Sequence, residues 1–104
     1  MPNPLDHAVV RDDHLGALLA QVARGDRDAF GALYDASCGP VFAVIRAVID
    51  GERHSEEILH ETYLRIWRHA AAWNAGHGTA TSWCLALARR CASEGRGRPE
   101  TPAA

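Results

Sequence analysis

Apolar residues recur at helical spacing along most of this chain, and this periodicity is the feature that most restricts its fold. Leu15, Leu18, Leu19 and Val22 lie at positions i, i+3, i+4 and i+7, the pattern of an amphipathic helix. The same pattern returns around Val41–Val48, Leu59–Ile66 and Trp83–Cys91, and no stretch alternates with the period of a strand. We therefore predict an all-α protein, a compact bundle of about four helices.

Residues that cap or interrupt helices predict the first two boundaries. We expect a first helix from Asp13 to Arg24, followed by a glycine that favours a helix C-terminus. Asp26 is a good N-cap for a second helix. Because Pro40 lacks an amide proton, we expect this helix to be kinked or to restart near that residue.

The later boundaries are predicted in the same way. Ser55 is expected to cap a third helix that runs to about Ala72. A loop with two glycines and an asparagine follows, and Gly78 or Thr79 is expected to cap the last helix, which weakens near Gly95.

Length and composition fit one small folded domain. The chain has 104 residues, 47% apolar and 23% charged, which excludes the low-hydrophobicity signature of disorder. We assign residues 13–94 to the domain, and residues 1–12 and 95–104 to flexible tails that lack periodicity. No apolar run reaches the roughly 18 residues of a membrane span, and the start lacks a signal peptide, so we expect a cytoplasmic protein.

Charge is distributed unevenly along the chain. Residues 1–64 contain five arginines and eleven acidic residues, whereas residues 65–104 contain six arginines and two glutamates. A polyanion would therefore bind the second part more favourably than the first.

One side of the predicted third helix is charged but contains a leucine. The residues on this side, opposite Leu59, Tyr63 and Ile66, are Glu57, Glu61, Leu64, Arg65 and Arg68. They form either a solvated surface with a Glu61–Arg65 ion pair or a protein interface in which charges surround an apolar contact.

The last helix predicts a small, polar and basic strip. Its members are Ser82, Leu85, Arg89, Ala92 and Arg96, opposite Trp83 and Leu87, with Arg90 at the margin of the buried side. The preceding loop adds Trp73, Asn74 and His77. An aromatic ring beside amide, imidazole and guanidinium groups suits an unstacked base and its phosphates, although a solvated helix and a core role for Trp73 are alternatives.

Catalytic motifs are lacking in the sequence. The histidines form no HExxH motif, and no glycine-rich stretch has the spacing of a phosphate-binding loop. We therefore predict neither an enzyme nor a cofactor or metal site. A weaker hypothesis is a zinc or thiol sensor that uses His60, Cys84 and Cys91.

Three segments together resemble region 2 of a bacterial extracytoplasmic-function (ECF) sigma factor of the sigma-70 family. They are LLAQVARGDRDAFGALYDASCGPVFAVIRAVI, SEEILHETYLRIWRHAAAWN and GTATSWCLALARR. The resemblance spans about Leu15 to Arg90, and its order of motifs is specific.

The resemblance implies two binding surfaces and no covalent chemistry. It implies that the third helix docks on the clamp helices of the RNA polymerase β′ subunit through Glu57, His60, Glu61, Leu64, Arg65 and Arg68. It implies that the loop and last helix bind the non-template strand of the promoter −10 element and hold a flipped base through Trp73, Asn74, His77, Ser82, Arg89 and Arg90. An anti-sigma factor is a further partner that the resemblance suggests.

Three departures from the family pattern leave an alternative open. His60 stands where the family often has glutamine, and Cys91–Gly95 replaces basic or amide residues of the last helix. The sequence also shows no region 4, so we expect a fragment or a stand-alone region 2. The alternative function is an interaction protein that binds RNA polymerase or an anti-sigma factor without promoter recognition.

Overall fold

A computed structural model describes residues 4–74, 76 and 78–97 of the chain, with side chains from residue 12 onward. The described residues form four helices. They are α1 (Pro4–Val22), α2 (Arg27–Arg46), α3 (Glu52–His69) and α4 (Ala80–Arg96), and a short 3₁₀ turn, Ala70–Ala72, follows α3. The predicted all-α bundle of four helices is confirmed for this part of the chain. None of its helices combines the length and the hydropathy that a membrane-spanning helix needs.

The first helix begins nine residues before the predicted start at Asp13. Helical backbone covers residues 4–12, which we had assigned to a tail. Pro4 is compatible with this because proline lacks only an amide proton that the first turn leaves unpaired. At the other end, Gly95 and Arg96 belong to α4 and Gly97 is its C-cap, whereas residues 98–104 of the predicted C-terminal tail lie outside the described residues.

The second helix continues through Pro40 without restarting. Its predicted N-cap is confirmed, because the Asp26 carboxylate accepts a hydrogen bond of 3.0 Å from the amide of Ala29. The kink near Pro40 stays a prediction.

The N-cap predicted for the third helix is wrong. The capping residue is Gly51, whose φ of 90° favours glycine, and α3 starts at Glu52. Ser55 is buried inside the first turn, where its hydroxyl donates a 2.9 Å hydrogen bond to the carbonyl of Gly51. A serine hydroxyl also binds a carbonyl one turn back in a helix interior, so the residue type alone did not distinguish the two positions.

The last helix begins as predicted but buries a different side. Thr79 is the N-cap, and its hydroxyl oxygen accepts a 3.0 Å hydrogen bond from the amide of Ser82. The buried residues are the small ones, Ala80, Cys84, Ala88, Cys91, Ala92 and Gly95. The predicted centres of the buried side, Trp83 and Leu87, are only half-buried, and Ala92, predicted on the exposed strip, is buried.

The core lies where the four helices meet. Its fully buried large side chains include Leu19 of α1, Leu33 and Ile45 of α2, and Ile58 and Ile66 of α3. Because α4 contributes small side chains, it packs against the other three helices while its opposite side stays in solvent.

Candidate functional surfaces

The exposed side of α3 has Leu64 at its centre. This side chain keeps 53% of its surface exposed, the highest value among the large apolar residues of the described chain. His60 and Arg68, one turn before and after it, are exposed as well. The structure therefore places an apolar group among polar neighbours, as the sequence pattern predicts.

Three members of this predicted face take part in ion pairs. Glu57 lies 3.8 Å from Arg53 of the same helix. The predicted pair of Glu61 and Arg65 is present at 3.3 Å, and Arg65 also donates to the Glu94 carboxylate of α4. The hydrogen bond to Glu94 raises the pKa of Arg65 above its ordinary value. Arg65 thus links α3 to α4 and is less available to a partner than the sequence suggested.

The loop between α3 and α4 rests on α1. Trp73 is half-buried, and its ring lies so close to Gly16 that a Cβ atom there would be 2.9 Å from the ring. Its indole N–H donates to the carbonyl of Gly78 across a distance of 3.2 Å. Trp73 is therefore partly packed against α1, as the alternative of a core role predicts, and the rest of its side chain is open to solvent.

Two further loop residues were predicted to bind DNA. The Asn74 side chain is exposed, and its oxygen accepts a 2.8 Å hydrogen bond from the amide of Gly76, which shapes the turn. His77 lies outside the described residues.

The solvent side of α4 carries Ser82, Arg89 and Arg90, all exposed. The Ser82 hydroxyl donates to the carbonyl of Thr79 across 3.0 Å. Neither arginine forms a salt bridge with another described residue. Of the predicted strip, Ser82, Arg89 and Arg96 are exposed, whereas Leu85 is half-buried and Ala92 is buried, so the open part is polar and basic.

Asp12 of α1 holds the start of α4. Its carboxylate accepts hydrogen bonds from the amides of Thr81, at 2.8 Å, and Ala80, at 3.4 Å. Asp12 lies 68 residues before Ala80, so no local pattern identifies the pair.

An open cavity of about 520 Å³ lies between α1 and the loop. Asp12, Asp13 and Gly16 line its α1 side, and Trp73 and Thr79 are among the residues on its loop side. The aromatic ring and the carboxylates give this cavity a different character from the basic strip on α4.

The weaker zinc or thiol hypothesis has no geometric support. Cys84 and Cys91 are buried on α4, seven residues and therefore about 10 Å apart along the helix, too far for a disulfide. Burial raises the pKa of the Cys84 thiol to about 12 and also raises the pKa of Cys91. His60 points to solvent from α3, and the described residues bring no three potential metal ligands together.

Curated proteins of one family are similar to this chain. The sigma factor SigK of Mycobacterium ulcerans, an ECF RNA polymerase sigma factor, is 43% identical over 80 residues, which are 77% of this chain and 43% of that protein. SigK of Mycolicibacterium vanbaalenii is 43% identical over 76 residues, 73% of this chain and 39% of that protein. SigK of Mycobacterium tuberculosis strain H37Ra is 37% identical over 76 residues, 73% of this chain and 41% of that protein.

The chain therefore spans about two fifths of the length of these relatives. No family model matches the chain, and no solved structure does. The family resemblance noted in the sequence is nevertheless confirmed, because the identity is high and extends over three quarters of the chain. The helical bundle is a domain of the extracytoplasmic-function sigma factor family, within the sigma-70 family.

Proposed function

We propose that the domain acts as region 2 of an ECF sigma factor in transcription initiation. The exposed side of α3 docks on the clamp helices of the RNA polymerase β′ subunit. The loop before α4 and the basic strip on α4 then bind the non-template strand of the promoter −10 element. The observation that carries this proposal is the exposure of Leu64 at the centre of the polar side of α3.

The polymerase interface is argued from what surrounds Leu64. An apolar group within a polar rim is the arrangement of a binding hot spot, where the partner covers the apolar group and the rim sets the register. His60, Arg68 and Glu57 form this rim, and Glu57 also lies 3.8 Å from Arg53. Glu61 and Arg65 lie at the edge that faces α4.

The DNA interface is argued from charge and exposure on α4. Arg89 and Arg90 follow one another on the solvent side and have their guanidinium groups open to phosphates. Ser82 lies two turns earlier, close to the loop that contains Trp73 and Asn74. A single strand that crosses this strip places its phosphates on the arginines and a base at the loop.

The first test is binding of the chain to core RNA polymerase. We expect Leu64→Asp to weaken binding at least about tenfold, because it places a charge at the centre of the interface. Ala20→Asp is the matched control, since it adds the same carboxylate at an exposed position of α1. Equal affinities for the two variants would contradict the proposed α3 interface.

The second test is capture of the −10 non-template strand by the polymerase-bound protein. Arg89→Ala is expected to weaken capture and to reduce the slope of log affinity against log salt by about one. Arg24→Ala removes the same charge from an exposed position between α1 and α2, and should leave both quantities unchanged. If Arg89→Ala has no effect on measurable capture, Arg89 does not contact DNA.

A second candidate function is an interaction protein that binds polymerase or an anti-sigma factor without promoter recognition. The carboxylates of Asp12 and Asp13 beside the loop favour it, because they repel phosphates that approach the cavity. Polymerase binding without DNA capture by the unmodified chain would support this candidate over the first.

A further inference from the structure

The start of α4 is held by a carboxylate from another helix. The first amides of a helix have no partner within it and require one from outside. The Thr79 hydroxyl accepts a hydrogen bond from the amide of Ser82 at 3.0 Å. The Asp12 carboxylate of α1 accepts from the amides of Thr81, at 2.8 Å, and Ala80, at 3.4 Å. Asp12 therefore completes a cap that α4 only partly supplies for itself.

The beginning of the same loop is held by α1 as well. Gly16 allows the ring of Trp73 to lie against the helix backbone, because a methyl group at this position would approach the ring to 2.9 Å. On its other side, the ring donates a hydrogen bond from its indole N–H to the carbonyl of Gly78, at the end of the loop, across 3.2 Å. This contact fixes Trp73 relative to the residue that precedes the N-cap of α4.

Asp12 and Gly16 are four residues apart, so they lie one above the other on the same side of α1. One residue contacts the first amides of α4, and the other contacts the tryptophan at the start of the loop. A single turn of α1 thus contacts both Trp73, at the start of the loop, and the first turn of α4, which follows the loop.

We infer that Asp12 and Gly16 are positioning residues for the DNA-binding loop, an inference that rests on the proposed function. They contact no DNA themselves. They hold Trp73 and the first turn of α4 in one arrangement before the strand binds, so that binding does not have to order the loop. Residues that are distant in sequence from the basic strip therefore affect its affinity for single-stranded DNA.

The test compares two neighbouring carboxylates. Asp12→Ala is expected to weaken capture of the −10 non-template strand by the polymerase-bound protein on the order of tenfold, since the loop must then be ordered on binding. Asp13→Ala removes the same charge from the adjacent, exposed residue at the same cavity, and we expect no weakening. Asp12→Asn keeps one oxygen for the amide of Thr81 and should recover part of the affinity. Equal weakening by both alanine variants would reduce the effect to charge and overturn the inference.

A further variant separates positioning from stability. Asp12→Ala combined with Thr79→Asp returns a carboxylate to the N-terminus of α4 at its own N-cap position, which strengthens the cap and favours the helix dipole but does not restore the link to α1. We expect the melting temperature to recover and DNA capture to stay weak. Recovery of both would show that Asp12 acts only through stability.

Hydrogen exchange gives a measurement that does not require DNA. In the unmodified chain, the Trp73 indole proton and the amides of Ala80 and Thr81 should be protected, and both Asp12→Ala and Gly16→Ala should accelerate their exchange. Unchanged exchange in Asp12→Ala would overturn the inference. Failure of the unmodified chain to capture DNA, with the exchange pattern as expected, would instead refute the proposed function.

Discussion

Removal of the Ser37 hydroxyl should destabilise the fold more than removal of its partner, the Tyr63 hydroxyl. Both groups are buried, and their oxygens lie 2.7 Å apart between α2 and α3. Ser37 donates its only proton to the carbonyl of Leu33 at 2.6 Å, so Tyr63 must donate to Ser37. Burial raises the pKa of the Tyr63 phenol well above its ordinary value, which keeps it a donor throughout the working pH range.

The expected free energies differ because only one substitution leaves a buried donor without an acceptor. Ser37→Ala strands the Tyr63 hydroxyl, which costs about 1–3 kcal/mol, whereas Tyr63→Phe leaves Ser37 paired with Leu33 and costs about 0.5–1.5 kcal/mol. The double variant strands nothing and should resemble Tyr63→Phe. The losses in free energy of unfolding of the two single variants should therefore add up to about 1–3 kcal/mol more than the loss in the double variant.

Urea unfolding followed by circular dichroism measures the free energy of unfolding of the unmodified chain, the two single variants and the double variant. A loss of about 2 kcal/mol in Ser37→Ala corresponds to a fall in melting temperature of roughly 8–16 °C for a domain of this size. The difference should be the same at pH 6 and pH 8, since the Tyr63 phenol is neutral at both. A smaller loss for Ser37→Ala than for Tyr63→Phe, or additive effects, would refute the assigned direction of the hydrogen bond.

Three other predictions concern the helices themselves. Under native conditions, a thiol reagent should modify Cys38, which is half-exposed, and leave the two buried cysteines of α4 unmodified. Mass spectrometry counts the labels, and two or more labels per chain would contradict the burial of these cysteines. Gly51→Ala should lower stability by about 1–2 kcal/mol because of its φ of 90°, whereas Gly31→Ala, inside α2 with open space around it, should raise stability by about 0.5–1 kcal/mol in chemical denaturation. Ala88→Leu should cost about 1–3 kcal/mol by overpacking, and Ala86→Leu on the exposed side should change the melting temperature little.

Several features that depend on local patterns were predicted correctly, although the N-cap at Ser55 was not. The caps at Asp26 and Thr79 and the exposure of Leu64 follow from residue type and helical spacing, and the structure has all three. In each case the determining interactions lie within one or two turns of the same helix, where the sequence alone contains the needed information.

Features that depend on contacts between helices were not predicted. The side of α4 around Trp83 was chosen because large apolar residues usually mark the core, but close packing against three helices requires small residues such as Ala88. Asp12 was assigned to a tail because its segment lacks periodicity, and its partners, 68 and 69 residues away, could not be identified from local sequence. Arg65 likewise has a partner on another helix, Glu94, that no spacing rule connects with it.

The small-residue side of α4 separates what the helix needs for folding from what it presents to a partner. Packing depends on Ala88 and its neighbours, whereas Ser82, Arg89 and Arg90 make little contribution to the core. Substitutions at these three outer positions can therefore accumulate without unfolding the domain. Under the proposed function, such a helix allows promoter preference to diverge among related proteins while the bundle beneath it stays the same.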